Sequence, residues 1–355
     1  MKILFITAGL KYGGAERVMS ILSSEFSKLG HDVGIYLTQC DSECVYPLHE
    51  KIKVYTPDSH VNKFNIVFKL RKFIKAHDPD VVIPFLPFQC IFTVFACLFS
   101  KYPVIVCERN DPNIIDADHT GRFWFWLRDF AYSLSKGAIF QTEGAKSYFS
   151  KKIREKSVVI LNPFDTSQFG DRFTGVRDGR VVTVGRITHQ KNHALLIRAF
   201  ANIEKDYPDS ILEIYGTGPL EKDLNDLVCN LGLENRVRFM GNVSNVGDNI
   251  RTASCFAFSS DYEGLPNALI EAMCIGIPCV STDCSPGGAR MIIENEENGL
   301  LVDVGDTDQL SSAISKILSD KEFSDTCSRN AILFKDKVEL NTITSAWISY
   351  INSIL

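Results

Sequence analysis

Two acids set eight residues apart carry the first chemical signal. In DYEGLPNALIEAM, residues 261–273, Glu263 precedes a Gly-Leu-Pro break and Glu271 follows it inside a helical pattern. A carboxylate is an acceptor only, and a vicinal diol offers two donors, so either acid suits sugar hydroxyls. The preceding CFAFSS reads as a strand, which puts DYEG at a strand's carboxyl end. Pro266 fits the first helical turn, where it loses no N–H. The helix start around Asn267 and Ala268 then aims peptide N–H groups outward with a partial positive charge, which suits a phosphate. Glu271 lies about 6 Å further along the axis than Asn267. Glu271 on a ribose and Glu263 on a hexose would bracket a diphosphate, the order of parts in a nucleotide sugar. Standing alone, the stretch also fits a capped surface helix with two ordinary acids.

Other segments point the same way. VTVGRITHQKNHALLIRAF puts Gly185, Arg186 and Lys191 in a loop between a strand and a helix. Arginine offers phosphate a planar fork and lysine a point charge. IYGTGPL follows another strand, with Gly216 and Gly218 letting backbone approach a ligand closely. TAGLKYGGAERV places Gly13 and Gly14 between the first strand and helix. It lacks the full G-x-G-x-x-G of dinucleotide sites, which argues against a nicotinamide enzyme.

The elements that must position these residues alternate. KILFITA, HDVGIYLT, DVVIPFL, PVIVCER and GAIFQT read as strands separated by helical patterns such as AERVMSILSSEFSKLG and GRFWFWLRDFAYSLSK. That alternation predicts an α/β chain with parallel sheets covered on both faces. The rhythm breaks at the polar residues 166–179, read as a linker, and then restarts. The expected organisation is a doubly wound, Rossmann-like domain over 1–165 and a second over 180–337. The final helical segment, within 338–355, packs back onto the first. Two such domains would face a central cleft at the carboxyl ends of their strands. The 355 residues, with 45% hydrophobic and 23% charged residues, suit two ordinary globular cores. A net charge of −5 argues against nucleic acid as a partner. Eleven cysteines without a C-x-x-C pair read as buried reduced thiols. Cys40 and Cys44, with His49 nearby, form the one spacing like half a zinc site.

GRITHQKN, GTGP, EGLPNALIEA and ENGLLV occur together in the order and spacing of retaining glycosyltransferases of family 4, which have the GT-B fold. The chain resembles that family over nearly its whole length, and Glu263 and Glu271 match its E-x7-E pair. The resemblance implies a UDP-sugar donor held by the second domain and an acceptor held by the first. By position, Arg186 and Lys191 would hold the diphosphate, and Gly14 would let the first loop approach it. Glu271 would bond the ribose, while Glu263 with the N–H groups of Gly264 and Leu265 would hold the sugar. Many members carry a histidine after the strand equivalent to PVIVCERND. This chain has Glu108, Arg109, Asn110 and Asp111 there instead, as in relatives that build bacterial surface polysaccharides. Arg109 and Asn110 are the candidates to contact the sugar or offset charge, and they also fit a structural turn before Pro112.

The expected reaction moves a hexose or N-acetylhexosamine to a polyprenyl-diphosphate-linked glycan with retention, in O-antigen or capsule synthesis. No cofactor and no metal is expected, since Arg186, Lys191 and the helix start offset the leaving charge. The D-x-D triplets at Asp116–Asp118 and Asp306–Asp308 read as a loop and a helix cap. Rivals are a two-carboxylate glycosidase, a nucleotide-sugar epimerase and a non-catalytic sugar-binding protein. NKFNIVFKLRKFIKAH interleaves Lys63, Lys69, Arg71, Lys72 and Lys75 with Phe64, Phe68 and Phe73, a basic face beside an aromatic one. Trp124 and Trp126 add interfacial residues. Both patterns suit a protein lying on the cytoplasmic face of an anionic inner membrane. They also suit helices whose aromatics face the core.

Overall fold

The computed structural model describes residues 1–11, 13–39, 45–57, 65–113 and 122–355. Cys40, Cys44, Lys63, Phe64, Asp116 and Asp118 lie outside that set. The chain divides into two compact units. The first is Met1–Phe164 with Val338–Leu355, and the second is Asp165–Lys337.

The first unit begins β1 (Lys2–Thr7), α1 (Gly14–Lys28), β2 (Asp32–Leu37), β3 (Lys53–Tyr55), α2 (Ile66–His77), β4 (Val81–Pro84) and α3 (Pro87–Cys97). It continues β5 (Ile105–Cys107), α4 (Arg122–Leu134), β6 (Gly137–Phe140), α5 (Glu143–Tyr148), α6 (Lys151–Arg154) and β7 (Ser157–Val159). Strands run β3-β2-β1-β4 and β5-β6-β7, all parallel. Bridges Val82–Val104 and Phe85–Cys107 join the two parts. Ile3, Leu4, Phe5 and Ile6 of β1 are all fully buried. Successive strand residues face opposite ways, so both faces of the sheet are covered. The helices bury one stripe each, as Ile66, Leu70 and Ile74 do at four-residue spacing on α2.

The second unit comprises β8 (Val181–Val184), α7 (His193–Ile203), β9 (Leu212–Tyr215), α8 (Glu221–Asn230), β10 (Val237–Gly241) and α9 (Val246–Ile250). Then come β11 (Cys255–Phe258), α10 (Asn267–Ile275), β12 (Cys279–Thr282), β13 (Leu300–Val302), α11 (Thr307–Ser319) and α12 (Lys321–Ala331). The parallel order is β10-β9-β8-β11-β12-β13. It reverses direction between β8 and β11, the switch point where open α/β sheets bind ligands. Asp306 caps α11, accepting from the Gln309 N–H at 2.8 Å.

After α13 (Lys335–Val338), α14 (Leu340–Ile354) belongs to the first unit. Trp347 is fully buried there and stacks on Phe85, with ring centres 6.2 Å apart. The Tyr350 hydroxyl accepts from the Ala138 N–H at 3.0 Å and donates to the Lys156 carbonyl at 2.5 Å.

Residues 166–179 lie in the second unit. The Arg177 guanidinium spans three segments of it. It donates to the carbonyls of Ala253 and Gly276, each at 2.7 Å, and to Ser328 Oγ at 3.1 Å. Arg177→Ala is expected to destabilise the second unit by about 2–3 kcal/mol, because charged donors are withdrawn from carbonyls they satisfy. Arg177→Lys should recover little, since an ammonium cannot reproduce the fork. Urea midpoints of the two variants measure this.

Candidate functional site

At the switch point the loops after β8 and β11 are joined along their length. The Asp261 N–H donates to the Gln190 carbonyl at 2.9 Å, and Gln190 Nε2 donates to the Tyr262 carbonyl at 3.0 Å. Asn192 Nδ2 donates to Asp261 Oδ1 at 2.7 Å, and Ser259 Oγ to the Lys191 carbonyl at 3.0 Å. Lys191 Nζ and Glu263 Oε1 complete the junction as an ion pair at 2.5 Å. Glu263 is 7% exposed. The Lys191 ammonium also sits 4.7 Å from the Phe258 ring centre. The Glu263 N–H donates to the Ser285 carbonyl at 3.0 Å, which adds the loop after β12 to the same junction. Two candidates from separate parts of the sequence are thus in direct contact.

Gly216 and Gly218 fit a close backbone approach. Gly216 has φ +129, and a Cβ there would stand 2.1 Å from the Gly185 carbonyl oxygen. A Cβ at Gly218 would meet the Ile187 carbonyl at 2.2 Å. The loop after β9 therefore lies flush on the loop after β8, with the Ile187 N–H donating to the Thr217 carbonyl at 3.0 Å. Arg186, between these contacts, is exposed.

The start of α10 differs by one residue from the sequence expectation. Pro266 is the capping residue, with φ −78 and ψ 89, and the helix begins at Asn267. The physical reason for placing proline there survives, since the Ile270 N–H bonds the Pro266 carbonyl at 3.1 Å and no proline donor is needed. Gly264 and Leu265 are buried, Ala268 stands in the first turn, and Glu271 is half-buried a turn further in.

One neighbour went unnoticed in the sequence. His193, the first residue of α7, is 3% exposed, and its Nδ1 has no hydrogen-bond partner among the described residues. Burial first, and the Lys191 charge second, lower its pKa to about 4. The imidazole is therefore neutral at pH 7. Its only sequence signal is adjacency to Lys191 at a helix start.

In the first unit, Gly14 is exposed at the first turn of α1, and the Gly13 carbonyl accepts from the Tyr46 hydroxyl at 3.2 Å. Arg109 is 5% exposed. Its guanidinium lies 4.3 Å from the Phe85 ring centre and 5.4 Å from that of Trp347, and it donates to Asn162 Oδ1 at 3.1 Å. Asn110 beside it is exposed. Glu108 turns to the other side, accepting from the Tyr132 hydroxyl at 3.0 Å, and burial raises its pKa. On α2, Lys72 is exposed and Lys69 half-buried. Arg71 is tethered, donating to the carbonyls of Leu98 at 2.9 Å and Ala96 at 3.3 Å. Phe73 packs inward between Tyr36 and Tyr55, whereas Phe68 is exposed. His49 Nδ1 lies 2.9 Å from Ser27 Oγ.

Lys191→Met is expected to destabilise the second unit by about 3 kcal/mol, because it strands a buried carboxylate. Adding Glu263→Gln should recover most of that loss, which denaturant melts of the single and double variants would reveal. His193 supplies a pH dependence. Its folded pKa lies below the ordinary 6.5, so the unfolded chain binds the proton first. Its stabilisation is complete above pH 6.5 and is lost as pH falls towards 4, by at most about 3 kcal/mol. His193→Gln should flatten that slope in urea midpoints taken at pH 7.5 and 5.

Comparison with known proteins accords with this geometry. Residues 12–168 match the model of Glycosyltransferase Family 4, and residues 171–334 that of Glycosyl transferases group 1. A Campylobacter jejuni N-acetylgalactosamine-N,N'-diacetylbacillosaminyl-diphospho-undecaprenol 4-alpha-N-acetylgalactosaminyltransferase is 32% identical, over 92% of this chain and 94% of its own. A second enzyme of that organism, an alpha-1,4-N-acetyl-D-galactosaminyltransferase acting on a GalNAc-GalNAc-diNAcBac-PP-undecaprenol, is 28% identical over 100% and 99%. The crystal structure of Anabaena HepE in complex with UDP and glucose superposes with a TM-score of 0.85 at 21% identity, over 99% of this chain and all of that one. The chain therefore belongs to glycosyltransferase family 4, has the GT-B fold built from two Rossmann-like units, and is a glycosyltransferase.

Proposed function

We propose that the protein transfers a hexose or N-acetylhexosamine, with retention, from a UDP-sugar to a polyprenyl-diphosphate-linked glycan in bacterial polysaccharide assembly. The observation that carries this reading is the Lys191–Glu263 pair beside the start of α10. It sets an ammonium, a carboxylate and a helix start on adjoining loops, groups that suit a phosphate and a sugar hydroxyl and so support the reading. Lys191 and Arg186 hold the diphosphate with the first N–H groups of α10. Glu271 accepts from the ribose diol, and Glu263 from the sugar. In the transfer the bond from the anomeric carbon to the β-phosphate oxygen breaks. A bond to the acceptor oxygen forms on the same face, and the departing phosphate takes the acceptor proton. The positive groups offset the leaving charge without a metal ion.

The acceptor class rests on the named undecaprenol-linked substrates of the two Campylobacter relatives. Lys69 and Lys72 of α2 suit its diphosphate, and the protein works peripherally at the cytoplasmic face of the inner membrane. In the first unit Arg109 and Asn110 remain the candidates to contact sugar or offset charge, Asn110 being exposed and Arg109 held against Phe85 and Trp347.

Glu271→Ala is expected to weaken UDP binding about 10- to 150-fold, the loss of one charged hydrogen-bond partner. Calorimetry reads the affinity, and saturation-transfer NMR across a panel of UDP-sugars names the donor. Unchanged affinity in Glu271→Ala removes the site assignment. Transfer should persist in EDTA, and a loss restored by magnesium or manganese removes the metal-free mechanism. Conversion of a UDP-sugar to its epimer without acceptor replaces transfer with epimerisation.

A further inference from the structure

Helix α4 presents an uncovered aromatic stripe. Phe123, Trp126, Phe130 and Leu134 recur at three- and four-residue spacing, which puts them on one face. They are 61, 61, 42 and 38% exposed. The Trp126 and Phe130 rings stack nearly parallel with centres 5.4 Å apart, and Phe123 lies 6.3 Å from Trp126. The opposite face is the core face. Arg128, Ala131 and Tyr132 are buried there, and Trp124 packs edge-on to Phe88 at 5.2 Å.

The stripe does not stop at α4. Phe130 meets Phe95 of α3 at 6.4 Å, and Phe99, just past α3, is 94% exposed. Arg71 of α2 holds the Leu98 carbonyl beside it, and α2 contributes Phe68, 74% exposed. A monomer's ordinary surface scatters such residues singly, whereas Phe123, Trp126, Phe130 and Phe95 form one chain of ring contacts, with exposed Phe99 and Phe68 on the neighbouring segments.

Charge selects the occupant. Helices α2, α3 and α4 contain Lys69, Arg71, Lys72, Lys75, Arg122 and Arg128 against Asp129 alone, in a chain of net charge −5. Arg128 is buried, so the outward charge on these helices comes mainly from α2 and the start of α4. A second copy meeting this face symmetrically would set the cations against their own counterparts. An anionic bilayer meets both features at once. Tryptophan and phenylalanine settle at the headgroup boundary, and lysine and arginine attract acidic lipid. No described helix is long and apolar enough to cross a membrane, so the contact is interfacial.

We infer that the α4 stripe is the element that inserts into an anionic phospholipid surface, with the α2 lysines as its electrostatic rim. This rests on the lipid-linked acceptor proposed above. The test uses the full chain with phosphatidylglycerol–phosphatidylcholine vesicles and with pure phosphatidylcholine vesicles, by sedimentation at low and high salt. The wild type should sediment with the acidic vesicles, more weakly as salt rises, because surface charge is screened within about 10 Å at 0.1 M. Its tryptophan emission should move to shorter wavelength, and Trp126→Phe should abolish the move. Phe123→Ser, Trp126→Ser and Phe130→Ser together should lower vesicle binding more than tenfold with UDP affinity unchanged, which also shows the variant folded. Lys69→Glu with Lys72→Glu should weaken binding to acidic vesicles alone. Equal vesicle binding by wild type and triple-serine variant overturns the stripe and leaves the lipid-linked reading standing. A wild type that ignores both vesicles overturns the inference and the membrane location together. A wild-type dimer that the triple-serine variant splits, without vesicle binding, assigns the face to a second copy and overturns the inference.

Discussion

The pairing of half-buried Lys191 with buried Glu263 constrains the loops around it. Removing an ammonium and a carboxylate from water costs several kcal/mol each, and their attraction repays this only in good geometry. The partners lie 72 residues apart, so the geometry must come from the sheet. It does so because β8 and β11 are hydrogen-bonded neighbours, with Val181 opposite Cys255 and Val182 opposite Phe256. Their loops leave the sheet side by side. Four further hydrogen bonds then hold the loops in register, so the pair is the last link of a rigid junction.

That junction bears on how an anion could be received. A lone buried lysine would have to be desolvated when ligand arrived, whereas Lys191 already has its charge offset by Glu263 and by the face of Phe258. An incoming diphosphate would compete for donors that are already positioned, and little reorganisation would be required of the protein. The helix start adds dipoles fixed by the backbone. Gly216 matters for the same reason. Any side chain at φ +129 with a carbonyl 2.1 Å from its Cβ would push the Gly185–Arg186 segment off its support.

Much of this was legible in the sequence, and the exceptions have identifiable causes. The alternation of apolar runs with helical spacing gave the α/β class because parallel strands buried on both faces need continuous apolar residues, as in KILFIT. The close approach at Gly216 and Gly218 was legible because it depends on a local backbone need. The Lys191–Glu263 contact was not, because a strand order of β9-β8-β11 is a tertiary fact that no local pattern encodes. His193 looked like an ordinary helical residue, and only its burial beside Lys191 makes it unusual. On the surface, the basic face of α2 was legible as a charge pattern. The aromatic stripe of α4 was blurred because RFWFWLRDF has aromatics on both faces, and the structure alone separates buried-side Trp124 from exposed Trp126.

The same architecture thus carries two different ways of using side chains. In the second unit Lys191 and Glu263 satisfy one another within the junction of two loops, so their positions are fixed before any ligand arrives. In the first unit the distinctive residues of α2 and α4 point outward, and what they have in common is a chemical class of surface, aromatic within a basic rim. A soluble nucleotide sugar diffuses to its site in three dimensions and gains from fixed, convergent groups. A substrate confined to a bilayer gains from an enzyme held at that bilayer, where its effective concentration is already high. Neither demand would change the core, since both would fall on strand ends and outward helix faces that a doubly wound sheet leaves free to vary. A sheet of fixed order with variable loops and helix surfaces would therefore be sufficient to carry both the proposed donor site and the proposed membrane face in one chain.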